Sequence, residues 1–179
     1  MFRKRMQAAI VSLMVGVVLL SGCATRRLQR HGAVIAIPAA SVPEYKELHA
    51  ATWPGVLRLI DRTHMHNYSI YLGEVAPQQH YLFAYYEYTG RDFDADMARM
   101  KKDPTMQQWW QRTDPLQRPL PTRQKDEWWA QWQEVFHHDG PAYRPSQIKS
   151  RHGSIVGLRQ ESLLAYTQLH AAVWPGVLA

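Results

Sequence analysis

Apolar and polar positions along the chain follow two different periods, one typical of strands and one of helices. The apolar, β-branched run His31–Ile37 predicts a buried strand. Alternating apolar positions predict two more strands, at Asn67–Gly73 and at the aromatic-rich His80–Tyr88. We expect a last strand at Gln131–Asp139.

The residues between these predicted strands have the apolar periodicity of helices. After Ser41, apolar or small residues recur every three or four positions, at Tyr45, Leu48, Thr52, Val56, Leu59 and Ile60. We expect Ser41 to cap this helix and Pro54 to kink it or to start a second one. Asp92 begins a helix whose charges run from acidic to basic, as the helix dipole favours. Asp103–Arg112 predicts another short helix, and the proline-rich TDPLQRPLPTRQ after it predicts a long loop.

The predicted elements therefore occur in the order β-α-β-β-α-β, with one extra short helix. This order indicates an α+β ferredoxin-like sandwich, an antiparallel sheet with helices on one face. The strand at Asn67–Gly73 and the strand at His80–Tyr88 also bring tyrosines to the face that the helices leave open. An exposed aromatic face of this kind is expected to meet a partner sheet or a ligand.

One segment of the chain occurs twice. Residues 30–58 and 151–179 align without a gap at an offset of 121, with 14 of 29 positions identical. KELHAATWPGVL in the first copy becomes TQLHAAVWPGVL in the second. We infer a duplicated domain, complete at 30–139, then a linker at 140–150 and the truncated start of a second copy at 151–179. A piece of 29 residues cannot bury a core of its own, so we expect a fragment of a tandem protein.

The amino-terminal segment has the features of an export signal. Basic residues precede the apolar run Ala8–Leu20, which at 13 residues is shorter than the roughly 20 needed to span a bilayer. Leu20-Ser21-Gly22-Cys23 resembles a bacterial lipobox, so we predict a lipoprotein signal peptide at 1–22, a lipidated Cys23 and a linker at 23–29. The expected location is membrane-anchored on the periplasmic face, with Ala24 favouring the outer membrane. Cys23 is the only cysteine, which excludes an internal disulfide.

Composition argues against a disordered chain, and charge argues against a nucleic-acid-binding protein. Apolar residues make up 46% of the chain and aromatic residues 11%, as in a folded protein. The net charge of +6 falls to +3 without residues 1–22 and leaves no dense basic patch, so we do not expect nucleic-acid binding. The candidate metal ligands form two sets, His64 with His66, and His137 with His138 and Asp139. No third ligand cluster accompanies either set at a characteristic spacing, so we expect no metal site.

Five motifs in order, EYKELHAATWP, NYSIYL, LFAYYE, MQQWW and EVFHHD, resemble the L-rhamnose mutarotase family. The resemblance covers residues 30–139 and the start of the second copy at 151–179. It implies a ferredoxin-like fold of the dimeric α/β-barrel type, pairing through the sheets, and interconversion of the α and β anomers of L-rhamnose. The chain departs from the family pattern at Gly55, where a glutamate is usual, and at Leu48, where a basic residue is common.

The resemblance also implies a set of site residues. His49 would be the catalytic acid and base, while Tyr45, Tyr68, Trp109 and Trp110 would hold the sugar. Tyr45 and His49 are one helical turn apart and point to the same side. Trp109 and Trp110 are about 100° apart around a helix, so we expect one to fill the core and the other to line the cleft.

The chemistry of mutarotation is compatible with one histidine surrounded by aromatic side chains. One proton must leave the anomeric hydroxyl and one must reach the ring oxygen, and a histidine titrates in the right range for both without metal or cofactor. His49, Tyr45 and Tyr68 equally fit ordinary core or interface positions. The Trp128, Trp129 and Trp132 side chains are expected to pack the loop down, or to form a second aromatic platform for a sugar.

Our leading hypothesis is an exported, lipid-anchored mutarotase for L-rhamnose or a similar deoxysugar. The alternatives are a catalytically silent sugar-binding or assembly module, and a related fold with monooxygenase-like chemistry on hydrophobic molecules. We expect a homodimer, or an intrachain pseudo-dimer in a full tandem protein. The second copy has no counterpart of Tyr68 or of the tryptophan pair, so we expect no working site there.

Overall fold

The computed structural model describes residues 28–140 and 147–178, so the predicted signal peptide and Cys23 lie outside the described residues. A four-stranded antiparallel sheet forms the centre of the fold, in the order β2-β3-β1-β4. The strands are β1 at Gln29–Ile37, β2 at Met65–Ala76, β3 at Gln79–Tyr88 and β4 at Ala130–Trp132. β1 and β3 pair along their whole lengths and form the middle of the sheet.

Two pairs of helices connect the strands. α1 (Val42–Ala50) and α2 (Pro54–Arg62) link β1 to β2, while α3 (Phe93–Lys102) and α4 (Pro104–Thr113) link β3 to β4. α4 packs against both α2 and α3. This order and the sheet topology confirm the predicted α+β ferredoxin-like fold. Among the described residues, no helix combines the length and the apolar character needed to cross a membrane.

The core lies between these helices and the inner face of the sheet. One buried cluster joins helix residues to the sheet and consists of Val56, Leu59, Met65, Tyr86, Met100, Met106 and Trp109. A second cluster surrounds Ile35 and Leu82 in the middle of the sheet and includes the buried Tyr45. The first helix pair therefore presents one face to both clusters, and this burial fixes which of its side chains point at the sheet.

Most helix starts agree with the sequence predictions. Trp53 is extended and a separate helix begins at Pro54, which confirms one of the two outcomes expected there. Asp92 accepts a hydrogen bond from the Ala95 N–H at 2.9 Å and Asp103 accepts one from the Thr105 N–H at 2.8 Å, so both helices are capped. Ser41 occupies the N-cap position of α1, as predicted, but its side chain makes no capping hydrogen bond, and the residue also ends the 3-10 turn Ala39–Ser41.

The last strand is shorter than predicted. It ends at Trp132 rather than Asp139, because it pairs only with Gly32–Val34 of β1. Beyond that point Val135 is 38% and Phe136 is 42% exposed, so the apolar residues there lack the buried face that stabilises a strand. Asp139 instead accepts a hydrogen bond from Arg30 Nη2 at 2.8 Å.

The second copy reproduces two helices of the first and lies partly on the outer face of the sheet. α5 (Leu163–Ala171) and α6 (Pro175–Leu178) correspond to α1 and α2, whereas the segment before them is not a strand. A Cβ at Gly153 would lie 2.9 Å from the Tyr71 ring, so glycine allows the backbone to approach the outer face closely. Arg151 Nε donates to Asn67 Oδ1 at 2.8 Å beside this contact.

Candidate functional site

Helix α1 places Tyr45 and His49 side by side. The two rings stack with their centroids 4.0 Å apart and their planes 24° from parallel. Tyr45 is 4% exposed and belongs to the core, while His49 is half-buried at the end of the helix. The predicted pairing of these two side chains on one side of the helix is confirmed.

The His49 ring is held in one tautomer. Its Nδ1 lies 2.9 Å from the Tyr45 carbonyl oxygen, and because a carbonyl only accepts, Nδ1 must donate the hydrogen. In the neutral ring the lone pair is therefore on Nε2. Burial lowers the pKa of His49 below its usual 6.5, partly offset by this bond to Tyr45, so the ring is neutral at physiological pH.

Helix α4 supplies the wall against which His49 packs. Trp109 is 5% exposed, and its ring meets the His49 ring edge-on at 5.2 Å and the Trp53 ring at 5.4 Å. Trp110 is half-buried, packs against the edge of the core and lines an open groove on the other side of the helix. One tryptophan of the pair fills the core, as expected, and it is also the one in contact with His49. The groove that Trp110 lines does not include His49, so a tryptophan in the sugar cleft stays a prediction.

A β-bulge directs Tyr68 to the inner face of the sheet. Asn67 and Tyr68 lie between the pairs His66↔Glu87 and Ser69↔Tyr85, so two residues of β2 oppose Tyr86 alone. Asn67 takes the left-handed backbone conformation with φ 52°, which asparagine tolerates better than most residues. The Tyr68 ring then packs edge-on against Tyr86 at 5.5 Å.

The hydroxyl groups of three tyrosines come close together behind this bulge. Burial of the hydroxyl raises the pKa of Tyr68, although 41% of the whole residue is exposed. Burial likewise raises the pKa of Tyr45 and of Tyr86, and repulsion from Tyr68 adds to both shifts. All three hydroxyls therefore stay protonated at neutral pH and are available as hydrogen-bond donors.

Three further residues of the site were not predicted from the sequence. Gln117 is 4% exposed, accepts from Trp128 Nε1 at 2.8 Å and interacts with the Tyr45 hydroxyl, which partly offsets the rise in the pKa of Tyr45. Tyr86 packs against Tyr68, and His31 is stacked on Tyr86 at 4.8 Å. The recurrence of His31 at position 152 of the second copy was the available sequence signal, whereas Gln117 had none beyond being a polar residue in a proline-rich loop.

Two of the histidines considered as metal ligands, His64 and His66, have other partners. His64 Nδ1 donates to the buried Asp96 carboxylate at 2.8 Å, and Asp96 also accepts from Tyr88 and Arg99. Burial alone would raise the pKa of Asp96, but these donors hold it below its usual range. His66 Nε2 lies 2.9 Å from Thr89 Oγ1. In the described parts of the chain, no group of three or more His, Cys, Asp or Glu side chains is arranged to hold a metal ion.

The two departures from the family pattern have local packing roles. A Cβ at Gly55 would lie 2.8 Å from Thr105 Cγ2, so the glycine lets α2 approach α4 closely. Leu48 packs against the main core cluster instead of presenting a charge. Gly55 therefore lets α2 lie close to the helix that carries Trp109, and Leu48 adds apolar contact to the core beside it.

The bulge leads to a prediction about Asn67. Asn67→Val places a β-branched residue in the left-handed region, at a cost of about 1–2 kcal/mol, whereas Asn67→Gly adopts that conformation freely. Both variants lose the same side-chain hydrogen bonds. Their difference in free energy of unfolding, measured with urea, therefore reports the cost of the left-handed backbone conformation. We expect the valine variant to be the less stable by about 1 kcal/mol or more. Equal stabilities would show that Asn67 does not need its observed conformation.

Comparison with known proteins identifies the family of this chain. A family model described as L-rhamnose mutarotase matches residues 30–138. An L-rhamnose mutarotase from Opitutus terrae is 29% identical over 110 residues, which are 62% of this chain and 98% of the relative. The crystal structure of an L-rhamnose mutarotase from Formosa agariphila is 18% identical with a TM-score of 0.45, over 62% of this chain and 99% of that one. The family model covers more than half of the chain, and the protein therefore belongs to the L-rhamnose mutarotase family, whose members are isomerases acting on carbohydrates.

Proposed function

We propose that this protein interconverts the α and β anomers of L-rhamnose or a similar deoxysugar, with His49 as the acid and base. The observation that carries the proposal is the hydrogen bond from His49 Nδ1 to the Tyr45 carbonyl oxygen at 2.9 Å. This bond leaves the lone pair on Nε2, in a ring that burial keeps neutral. A neutral imidazole with a fixed free nitrogen is suited to proton transfer near neutral pH.

The reaction can be written with His49 as the only proton carrier. Nε2 takes the proton of the anomeric hydroxyl, the C1–O5 bond breaks, and the electrons of the O–H bond form the C1 carbonyl. The imidazolium then gives a proton to the departing ring oxygen, which yields the open-chain aldehyde. Rotation about C1–C2 and the reverse sequence close the ring with the opposite configuration. Positioned proton transfer of this kind typically accelerates a reaction by about 10²–10⁴-fold.

The aromatic residues around His49 are proposed to hold the sugar. Tyr45 and Tyr68 keep their hydroxyl protons at neutral pH, so they can donate to sugar oxygens. Trp109 and Trp110 offer indole surface for the C–H faces of a pyranose ring, Trp109 next to His49 and Trp110 on the groove side.

We further propose that the protein is exported and anchored by a lipid on Cys23. The basic segment, the short apolar run and the LSGC sequence support this proposal, and the described domain begins only a few residues later. Attachment through more than one acyl chain would place the sugar site close to a membrane surface.

The role of His49 predicts a large effect of one substitution. His49→Ala is expected to lower the enzyme-dependent exchange rate about 10²-fold, because it removes the proton carrier. The rate is measured by saturation-transfer NMR between the anomers of L-rhamnose. His170→Ala is the matched control: His170 stacks on Tyr166 at 4.0 Å and bonds its carbonyl oxygen at 2.9 Å, as His49 does with Tyr45, but it lies in the second copy.

The control variant is expected to exchange the anomers as fast as the unmodified protein. Unchanged exchange in His49→Ala would exclude His49 as the acid and base. Calorimetric binding of L-rhamnose without faster exchange in any variant would indicate the silent sugar-binding module. Binding of aromatic molecules without any response to sugars would indicate the monooxygenase-like alternative.

The depressed pKa of His49 predicts the pH dependence of the reaction. The neutral ring is the active form, so the rate should be constant near pH 7–8 and fall on acidification, with a midpoint below the usual 6.5. The raised pKa values of the tyrosines predict no loss of activity up to about pH 9. The His49→Ala protein at each pH supplies the background from acid- and base-catalysed exchange in water. An acid limb centred above 6.5 would contradict this assignment.

The lipid anchor has a direct test. Expressed in a Gram-negative host, the full chain should partition into the outer-membrane fraction, and Cys23→Ser should release it or leave it unprocessed with residues 1–22 attached. Fractionation and intact-mass analysis distinguish these results. A soluble, unmodified protein with Cys23 intact would contradict the proposed anchor.

A further inference from the structure

The apolar residues of the second copy face solvent instead of a core. Leu164, Leu169, Trp174 and Val177 are 61–73% exposed. Neither α5 nor α6 contains a buried residue among those described. Large apolar side chains that are grouped in this way mark a surface that binds a partner.

The second copy keeps the apolar side chains with which the first copy fills the core. The buried apolar positions of residues 30–58 are Ala33, Val34, Ile35, Ile37, Tyr45 and Val56. Their counterparts in the second copy are Ser154, Ile155, Val156, Leu158, Tyr166 and Val177. Five of these six counterparts are apolar or aromatic, whereas the exposed charges of Glu44 and Glu47 are absent from the second copy. The partner that fits this face is therefore the surface that residues 30–58 cover in the first domain.

A glycine of the second copy points to the same partner. Gly55 of the first copy lies so close to α4 that a Cβ there would be 2.8 Å from Thr105 Cγ2. Its counterpart Gly176 has no described atom within 4 Å of the place that a Cβ would take. The arrangement in the structure thus does not require a glycine at position 176, whereas packing against α4 does.

The helical backbone of the second copy already has the conformation of the first. α5, like α1, follows a 3-10 turn and is nine residues long. A second helix starts at Pro175, as it does at Pro54. The Tyr166–His170 ring pair has the geometry of the pair in α1. The helices of the second copy can therefore take the place of α1 and α2 without a change in their own structure.

The ends of the first domain lie where such a replacement needs them. Asp139 accepts a hydrogen bond from Arg30 Nη2 at 2.8 Å, so the end of the domain lies beside the start of β1. The linker 140–150 has 11 residues and can extend about 36 Å, which is enough to bring Arg151 to the place of Arg30. At the other end Arg58 is exposed on α2, so a displaced segment 30–58 can leave the domain into solvent.

We propose that residues 151–179 bind the body formed by residues 59–139 in place of residues 30–58. In this permuted arrangement the elements keep their positions but follow a different order along the chain, and Tyr166 and His170 lie beside Trp109. The break that it makes in α2 keeps it a minor state, of about 1% or less. A larger population would let His170 replace the missing base in the His49→Ala protein, for which we expect a loss of about 10²-fold.

Two matched substitutions test the permuted arrangement by urea unfolding of the purified protein, followed by near-ultraviolet circular dichroism. Val56 is 3% exposed and its counterpart Val177 is 69% exposed, so Val56→Asp puts a charge in the observed core and Val177→Asp does not. We expect Val177→Asp alone to leave the urea midpoint unchanged. Val56→Asp should lower the midpoint but keep a cooperative transition, because residues 151–179 take over. Both substitutions together should abolish the transition, since neither copy can then fill the core.

The double variant isolates the replacement, because distant residues usually contribute additively to stability. Complete loss of the transition in Val56→Asp alone would overturn the proposal, and so would a double variant as stable as Val56→Asp. A Val56→Asp transition that depends on protein concentration would place the segment in a neighbouring chain, which would equally overturn replacement within one chain.

Anomer exchange gives a second readout, which rests on the proposed function. In the Val56→Asp protein His170 is the base, so adding His170→Ala should lower the exchange rate about 10²-fold, although the same substitution leaves the unmodified protein unchanged. Exchange in Val56→Asp that does not respond to His170→Ala would contradict the permuted arrangement. If even the unmodified protein fails to accelerate exchange, the proposed function fails, and the unfolding measurements still decide the replacement.

Discussion

The burial of Trp109 between two helices is the contact on which the rest of this site depends. Its ring touches His49 of the first helix and Trp53 at the start of the second, and it belongs to the cluster that joins the helices to the sheet. Removing a buried tryptophan of this kind typically costs about 3–5 kcal/mol. The same contact therefore stabilises the fold and covers one edge of the imidazole. Gly55 adds to this effect, because it lets the second helix lie close against α4.

The site is assembled from parts of the chain that have different structural origins. The helix positions Tyr45 and His49 through its regular spacing, whereas the sheet positions Tyr68 through an irregularity, the bulge at Asn67. Gln117 reaches the Tyr45 hydroxyl from a loop that crosses back to pair with Ala36 through Arg118. The helix contributes an imidazole and a tyrosine hydroxyl, the sheet contributes a second tyrosine hydroxyl, and the loop contributes an amide beside the Tyr45 hydroxyl.

Sequence reasoning predicted the parts of this arrangement that depend on local periodicity. The order of the elements, the helix start at Pro54 and the division between Trp109 and Trp110 all follow from spacing within a few residues. The early end of the last strand could not be predicted, because it depends on how much of β1 remains available for pairing. The bulge at Asn67 and the contact of Gln117 with Tyr45 depend likewise on partners far away in the sequence. Such contacts leave no periodic pattern in a single chain.

The Tyr166–His170 pair of the second copy shows how much of the first pair the helix itself determines. Its rings stack at 4.0 Å and 25°, and its histidine bonds the same backbone atom at 2.9 Å, although the helix has no buried residue among those described and no sheet beneath it. The stacked ring pair and the hydrogen bond from the imidazole to the backbone are therefore properties of a nine-residue helix. Selectivity for one sugar would also require side chains from other elements that form a wall around the ring pair, and only a complete domain supplies them. Trp109 supplies such a wall beside His49, whereas the ring that lies beside His170 is that of Phe136.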